Sequence, residues 1–181
     1  MQNASYKNGF TLVETLVAIS ILVMVIVGPM TIAQKGIQNA YFANDRVTAV
    51  FLAQEAIEGV RELRDEVALE AYKGGTVPTA NWLPSDDCDG SPKSCAFLKG
   101  NTTPFQPCGS TNDHCVLQTD SNGVYSHTSG TPSPFTRTVT IGGAISGGVP
   151  VEVSVAWENK GVPHEVKLQT WIYNHYQRYE N

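Results

Sequence analysis

The residues with the most recognisable chemistry are four cysteines near the middle of the chain. They are separated by six, twelve and six residues: Cys88, Cys95, Cys108 and Cys115. This spacing contains no Cys-x-x-Cys pair of the kind found in zinc sites and thioredoxin-like redox sites. An even number of cysteines in a segment that is poor in core-forming residues is typical of structural disulfides. We therefore predict two disulfides in this segment and no metal site.

Four cysteines allow three pairings. The local pairing, Cys88 with Cys95 and Cys108 with Cys115, is favoured because the partners of each pair are already close in sequence. In the chain-entropy model, closing a loop of this size stabilises the fold by about 2 to 3 kcal/mol per bridge. The other two pairings stay open at this point.

Acidic residues around the first cysteine suggest calcium binding as an alternative. Asp87, Asp89 and Gly90 lie at EF-hand-like positions. However, Ser85 stands where the first acid belongs, and Ala96 stands where the bidentate glutamate belongs. The pattern is therefore incomplete, and we predict no calcium site.

Catalytic patterns are missing from the sequence. The histidines are scattered and have no acidic residue at a suggestive spacing: His114, His127, His164 and His175. No serine stands in Gly-x-Ser-x-Gly, and "GGAISGG" lacks the Lys-Ser/Thr ending of a phosphate-binding loop. We predict that the protein is not an enzyme and uses no cofactor.

Length and charge limit the class of protein further. A chain of 181 residues with 41% hydrophobic residues is long enough for one small domain and an attachment. The net charge is -5, and the twelve basic residues are scattered along the chain. Nucleic-acid-binding proteins usually carry a concentrated basic surface, so no nucleic-acid partner is predicted.

A long apolar segment near the N-terminus must be explained next. From Phe10 to Ala33 there are 24 residues, and Glu14 is the only charged one. As a helix this segment would measure about 36 Å, which exceeds the bilayer core of about 30 Å. A cleaved secretory signal is the competing interpretation, but it should end in a small-x-small site after a shorter apolar core. The run instead continues into "VIVGPMTIAQKG", which favours a membrane-spanning helix.

Glu14 is the unexpected residue in this segment. A carboxylate at the centre of a bilayer costs about 2.5 to 3.5 kcal/mol on insertion scales, and less near the end of the span. An acid in the first turn of a helix is also favoured by the helix dipole. A plain membrane anchor explains the length of the segment but gives no role to Glu14.

The stretch "GFTLVETLVA" resembles the N-terminal motif of type IV pilins and of the pseudopilins of type II secretion. The resemblance implies that a prepilin peptidase cuts between Gly9 and Phe10 and methylates the new N-terminus. Glu14 then becomes the fifth residue of the mature chain. One departure is Asn8, since many members carry a basic residue directly before the glycine; here Lys7 lies one place further back.

The same resemblance implies a partner for Glu14. In filaments of this family, the glutamate lies beside the N-terminal amine of a neighbouring subunit. Such a buried pair adds little net stability, but the loss of one partner leaves the other charge unpaired. Further along, Gly28 and Pro29 predict a kink at the outer end of the span.

Beyond Lys35 the sequence becomes amphipathic. Apolar residues recur at steps of three and four, the pattern of a helix with one buried face: Ala43, Val47, Val50, Ala53, Ile57, Val60, Leu63 and Val67. Gly59 weakens this helix by about 1 kcal/mol relative to alanine. Gly74, Gly75 and Pro78 predict its end.

The rest of the chain divides into a loop-rich region and a sheet. Up to about Pro134, frequent proline, glycine and serine residues predict loops. Three stretches then alternate as strands do: "PFTRTVTI", "VPVEVSVAWENKG" and "PHEVKLQTWIYN". Asn159, Lys160 and Gly161 supply the turn between the last two. Three antiparallel strands that pack on the amphipathic helix form a stable α+β unit, which also resembles the globular head of a pilin.

The predicted fold class is therefore α+β and pilin-like, with a long N-terminal helix packed on a small antiparallel sheet. Five segments are predicted: a leader (1–9), a membrane-spanning assembly helix (10–33), an amphipathic helix (34–73), a loop-rich disulfide region (74–134) and the sheet (135–181).

The leading functional hypothesis is a structural subunit, a minor pilin or pseudopilin of a type IV pilus-like or type II secretion filament. Its implied partners are prepilin peptidase, other pilin or pseudopilin subunits, the inner-membrane assembly machinery and, before assembly, membrane lipid. The N-terminus would lie in the cytoplasm and the C-terminal domain outside it. Two alternatives stay open: a tip adhesin whose cysteine-containing loop faces outward, and a membrane-anchored extracytoplasmic protein of unrelated purpose.

Overall fold

The computed structural model describes residues 9–74, 83, 88, 94–100, 103–109, 113–143 and 148–174. The chain divides into two compact units, which are taken separately below: the first ends at Asn44 and the second begins at Asp45. One helix, α1 (Leu12–Lys73), contributes to both units. Its end at Lys73 agrees with the stop predicted from Gly74, Gly75 and Pro78.

The second unit contains an antiparallel sheet of seven strands. In chain order these are β1 (Cys95–Phe97), β2 (Phe105–Pro107), β3 (Val116–Thr119), β4 (Tyr125–Ser126), β5 (Thr131–Ile141), β6 (Gly148–Asn159) and β7 (Val162–Tyr173). β5 pairs with β1, β3 and β6; β2 flanks β1, β4 flanks β3, and β7 flanks β6. A 3-10 turn (Asp113–Cys115) leads into β3. The predicted α+β fold, with a long N-terminal helix and a C-terminal antiparallel sheet, is confirmed.

The three strands predicted from alternation are β5, β6 and β7. Side chains of β6 alternate as expected, with Val151, Val153 and Val155 buried. The β6–β7 hairpin closes through Lys160 and Gly161, which have φ values of 53° and 78°. Two consecutive residues with positive φ match the twist of the flanking strands, as in a two-residue type I′ turn. The turn predicted at this place is confirmed.

The sheet is larger than predicted, because four short strands lie in the region expected to be loops. β5 also begins at Thr131, ahead of the predicted boundary, and it includes Pro132 and Pro134. The register between β3 and β5 shifts between Val116 and Gln118, so Pro134 lies in a bulge where no ladder hydrogen bond is required. β6 pairs with β5 only from Thr136 onward. Among the described pairings, Pro132 therefore has a partner in β3 and none in β6.

The second half of α1 packs on the sheet, and the apolar stripe predicted from the sequence gives only part of the face that is buried there. Ala53, Ile57 and Val60 of the predicted stripe are buried. Ala43 and Val47 are exposed, Val47 by 54%, so the prediction is wrong at these two positions. The buried face is instead completed mainly by small residues: Ala49, Leu52, Ala56, Gly59 and Ala68. Small side chains let the sheet approach the helix closely.

Gly59 shows how close this approach is. A Cβ atom built on Gly59 would lie 3.1 Å from Cζ of Phe97 and closer still to Cε1 of the same ring. Phe97 belongs to β1 and is itself buried. The glycine therefore admits the aromatic ring, which explains why a residue that weakens helices stands in the middle of this one.

Gly59→Ala is expected to destabilise the protein by about 1 kcal/mol. Overpacking a filled core costs about 1 to 3 kcal/mol, and alanine returns about 1 kcal/mol of helix propensity. Urea unfolding followed by circular dichroism measures the difference. The matched control is Gly36→Ala, where nothing lies within 4 Å of the new methyl group, and this variant should be slightly stabilised. A second change, Phe97→Leu, should recover part of the loss; equal stabilisation by both alanines would contradict the steric argument.

Candidate functional site

The N-terminal segment keeps the predicted processing site outside the helix. Gly9 and Phe10 precede α1 and are exposed, with Phe10 at 82%. The helix starts at Leu12, and Oγ1 of Thr11 accepts a hydrogen bond of 3.3 Å from the backbone N–H of Glu14. This is the capping geometry of a Ser/Thr-x-x-Glu start. The peptide bond between Gly9 and Phe10 is thus accessible, directly ahead of a capped helix.

Glu14 lies in the first turn of α1, and its side chain is exposed. Within the described part of the chain it forms no ion pair. The position suits a carboxylate, because the N-terminal end of a helix carries partial positive charge. Glu14 is therefore both part of a local cap and a charge that a partner outside this chain could neutralise.

The apolar part of α1 is suited to a membrane. Among the described residues, one helix is long and apolar enough to cross a bilayer, and none of its most apolar window is buried within the chain. The helix continues through Pro29. Proline cannot donate to the carbonyl of Val25, and nearby Oγ1 of Thr31 donates to the carbonyl of Gly28 at 2.8 Å. The kink expected at Gly28 and Pro29 stays a prediction.

The cysteines form the local pairs. Cys88 is joined to Cys95, and Cys108 is joined to Cys115. All four are buried, and Cys95 is the first residue of β1. The backbone N–H of Cys108 also donates to the carbonyl of Ser94 at 3.1 Å. The first disulfide thus joins the start of β1 to Cys88, and the second joins the residue after β2 to the 3-10 turn before β3. Both hold short strands that have few backbone hydrogen bonds of their own.

A cavity of about 240 Å³ with both polar and apolar walls lies in the second unit, between α1 and the sheet. We call it the Arg137 cavity. Its helix side carries Glu55, Ala56, Glu58, Gly59 and Glu62, and the side formed by the rest of the unit carries Phe97, Leu98, Lys99, Tyr125, Ser126, His127, Thr128 and Arg137.

Arg137 fixes the helix against the sheet at this cavity. Its side chain is only 5% exposed, and Nη1 donates to the carbonyl of Leu52 at 3.2 Å and to Oε2 of Glu55 at 3.1 Å. Burial lowers the pKa of Arg137, and the charge of Glu55 opposes that effect. The guanidinium stays charged because it has both a carboxylate partner and a backbone acceptor.

His127 is the other unusual group in the cavity. Burial and, to a smaller extent, the charge of Arg137 lower the pKa of His127 to about 4, although a hydrogen-bonding contact with the backbone of His114 acts in the opposite direction. Neither ring nitrogen has a hydrogen-bond partner of normal geometry, and the same holds for Nε of Arg137. At neutral pH the imidazole is therefore uncharged.

Other predicted sites have mixed outcomes. No group of three or more histidine, cysteine or acidic residues able to hold a metal ion occurs in the described part of the chain. Asp87, Asp89 and Gly90, where calcium was considered, lie outside the described residues, and so does His175. His114 lies on the 3-10 turn, where its backbone is near His127, and His164 lies on β7, outside the lining of the Arg137 cavity.

Fold and N-terminal geometry together define a pilin-like protein: an exposed glycine–phenylalanine bond, a capped apolar helix and a disulfide-containing antiparallel sheet. Residues 4–28 match the family model of the prokaryotic N-terminal methylation motif. The chain therefore carries the signature of type IV pilins and pseudopilins. No curated protein and no solved structure matches it. Members with this motif are generally structural subunits, and the motif implies processing by prepilin peptidase and assembly with other pilin subunits.

Two features of the site were missed from the sequence. The cap at Thr11 could have been recognised, because Thr11 and Glu14 have the spacing of a capping box. The Arg137 cavity had one signal: in "PFTRTVTI", Arg137 occupies an inward-facing place between Phe135 and Val139. A charged residue at a core position of an alternating strand indicates a buried polar contact.

Proposed function

We propose that this protein is a minor structural subunit of a type IV pilus-like or type II secretion filament. The observation that carries the proposal is the methylation motif at residues 4–28, which includes the start of a helix that can cross a membrane. Prepilin peptidase removes residues 1–9 and methylates Phe10. The mature chain waits in the cytoplasmic membrane, with its N-terminus inside and its disulfide-containing domain outside, until the assembly machinery takes it up.

The surface of the apolar helix supports assembly through residues 10–33. Large apolar side chains are exposed on all sides of this segment, including Leu16, Val23 and Met24. In a bilayer they contact lipid, and in a bundle of subunits they contact the same helix of neighbouring chains. A helix that is apolar all round requires one of these two environments.

The extracytoplasmic part supports a minor rather than a bulk role. The two disulfides and the four short strands build an elaborate region between α1 and β5, and oxidised cysteines fit a compartment outside the cytoplasm. Such a subunit would be present in few copies. Its abundance in sheared filaments, relative to the main subunit, measures this part of the proposal.

The test is the N-terminal sequence of the mature protein. We expect mass spectrometry of protein from cells with an active prepilin peptidase to give a chain that starts at N-methylated Phe10. Gly9→Val should block cleavage, because the bulkier residue sits directly at the scissile bond, while Gly36→Ala serves as a glycine substitution far from that bond. A mature chain with any other start, or uncleaved protein in the presence of the peptidase, would overturn the proposal.

A further inference from the structure

The sheet of the second unit has one long edge strand. β7 pairs with β6 over its whole length, from Val162 to Tyr173, and among the described pairings it has no second neighbour. On the other side of β5 the sheet ends in β2 and β4, which contain three and two residues. Short edge strands are one way in which proteins avoid pairing with other chains. Of these three edges, β7 alone is long enough to accept another strand.

The ladder between β6 and β7 shows which backbone groups of β7 point outward. The carbonyl of Pro150 in β6 accepts a hydrogen bond of 2.9 Å from the N–H of Gly142, so it points to the β5 side. Because backbone groups alternate in direction along a strand, those of Val151 point toward β7, where they meet Thr170. The even-numbered residues of β7 therefore bond β6. The odd-numbered residues between them direct their N–H and C=O groups away from the sheet.

Two contacts agree with this direction. The carbonyl of Tyr173, an odd-numbered residue, accepts a hydrogen bond of 3.4 Å from Nη1 of Arg64 on α1. Pro163 is also odd-numbered, and proline is tolerated in an edge strand where its nitrogen faces away from the ladder. We call the backbone N–H and C=O groups of the four odd-numbered residues between these two positions the β7 edge: Glu165, Lys167, Gln169 and Trp171.

No hydrogen bond in the described part of the chain uses the β7 edge. The charged side chains of the same residues are engaged on the outer face of the sheet. Glu165 accepts from Ser154 at 2.5 Å and lies 3.3 Å from Lys167. An edge lysine often protects against pairing with other chains, but Lys167 is held by Glu165 and Glu152 instead. The edge is thus long, regular and open.

The spacing of the open groups specifies the chemistry of a partner. Donors and acceptors that alternate along a strand are matched by the main chain of another extended peptide, as in β-strand addition. Side chains on both faces add contact surface. Trp171 is 48% exposed on the outer face, and Val166 and Leu168 are half-buried on the inner face. An added strand would cover all three, and exposed tryptophan is enriched at protein interfaces.

We propose that the β7 edge binds an extended peptide segment of another protein, which adds a strand to the sheet. The backbone of that segment bonds the β7 edge. Its side chains alternate, so that one set covers Val166 and Leu168 and the other set contacts Trp171. The binding is independent of processing and assembly, since all of these residues belong to the second unit.

Amide hydrogen exchange of the full chain, labelled with 15N in a zwitterionic detergent, is the first measurement. Without any peptide, the N–H groups of the β7 edge should exchange quickly, and those of Val166, Leu168 and Thr170 should exchange slowly. Random peptides of 12 residues, the length of β7, are then displayed on phage and selected on the same protein. At least one enriched peptide, once synthesised, should bind saturably and slow the exchange of the β7 edge.

A proline in the β7 edge should prevent this binding. Gln169→Pro removes one outward N–H that bonds nothing within the described fold, so the strand should still form. It should weaken peptide binding by about tenfold or more, equivalent to about 1.4 kcal/mol. Gln169→Ala is the matched control, because it loses the same side-chain bond to Glu152 and keeps the N–H. It should bind within a few-fold of the parent.

Methylated peptides test the same contact without changing the protein. N-methyl groups at every second position of an enriched peptide remove the N–H groups of one side. One of the two alternating sets should lose binding, because its N–H groups face β7, and the other set should keep it.

Four results would overturn the proposal. The first is slow exchange of the β7 edge in the free protein, which would mean that the edge is already covered; if that protection grows with protein concentration, the occupant is a second copy of this chain. The second is that no selected peptide slows the exchange of the β7 edge. The third is a folded Gln169→Pro variant that binds peptide as tightly as Gln169→Ala. The fourth is equal binding of the two methylated sets, which decides the question if Gln169→Pro does not fold.

Discussion

Replacing Glu14 by glutamine should leave membrane insertion intact and abolish incorporation into filaments. The substitution keeps the size of the side chain and removes its charge. The local cap should survive, because Thr11 accepts its hydrogen bond from the backbone N–H of residue 14 and not from the side chain. Glutamine is also accepted at this position of a capping box. Loss of a charge in an apolar segment favours insertion, so any defect should arise at assembly.

The expected defect follows from the charge that assembly would leave behind. In the proposed filament, the amine of methylated Phe10 on one subunit lies beside Glu14 of another. Without the carboxylate, that amine is buried unpaired, and removing one partner of a buried ion pair typically costs about 3 to 5 kcal/mol. A penalty of this size at each addition reduces incorporation more than a hundredfold.

The measurement compares the amount of each variant in sheared filaments with the amount in membranes. Glu70→Gln is the matched control, since Glu70 lies on the same helix, is exposed, and is far from the N-terminus. It should enter filaments normally. If Glu14→Gln enters filaments as well as Glu70→Gln does, Glu14 does not pair across subunits.

Sequence patterns predicted those parts of the fold that depend only on residues close together in the chain. The end of α1 follows from glycines just after Lys73, and the alternation of β6 places Val151, Val153 and Val155 on one face before any partner is known. The hairpin between β6 and β7 needs only two residues with positive φ. The methylation motif was recognisable for the same reason, because Gly9, Phe10 and Glu14 lie within six consecutive residues.

Features that depend on distant contacts could not be predicted in this way. Strands β1 to β4 contain two to four residues each, too few to show a period of two. β1 and β3 form because β5 offers them a partner, as Val139 does for Cys95, and β2 and β4 pair in turn with β1 and β3. The buried face of α1 likewise depends on distant contacts, since Gly59 is buried where the ring of Phe97 packs against it.

The Arg137 cavity is the clearest case of this limit. Its walls come from residues near positions 55, 97, 127 and 137, which are separated by tens of residues along the chain. Each is ordinary in its own sequence context. Only the inward place of Arg137 in β5 pointed to a buried polar contact, and nothing local connected it to His127.

Removing either disulfide should have the largest effect on stability. We expect the double variants Cys88→Ala/Cys95→Ala and Cys108→Ala/Cys115→Ala each to lose about 2 to 3 kcal/mol, since both bridges span seven positions and close loops of the same length. Changing both cysteines of a pair avoids a free thiol that could exchange with the remaining bridge.

The native structure gives the reason why these bridges matter. Cys95, Cys108 and Cys115 are almost fully buried, and the last two share a cluster with Ala96 of β1. The second bridge joins the chain just after β2 to the residue just before β3. Because β1, β2 and β3 are too short to hold themselves in place, loss of a bridge should loosen them before it affects β6 and β7.

Thermal unfolding of the full chain in detergent measures the loss, expected to lower Tm by about 5 to 10 °C for each bridge. Hydrogen exchange should increase most in β1 to β3 and least in the β6–β7 hairpin. Ser20→Ala is a neutral control, because Ser20 is exposed and its hydroxyl bonds only within its own helix. Peptide mapping without reductant fixes the pairing: a fragment that links Cys95 to Cys108, or four free thiols in exported protein, would contradict the local bridges on which this expectation rests.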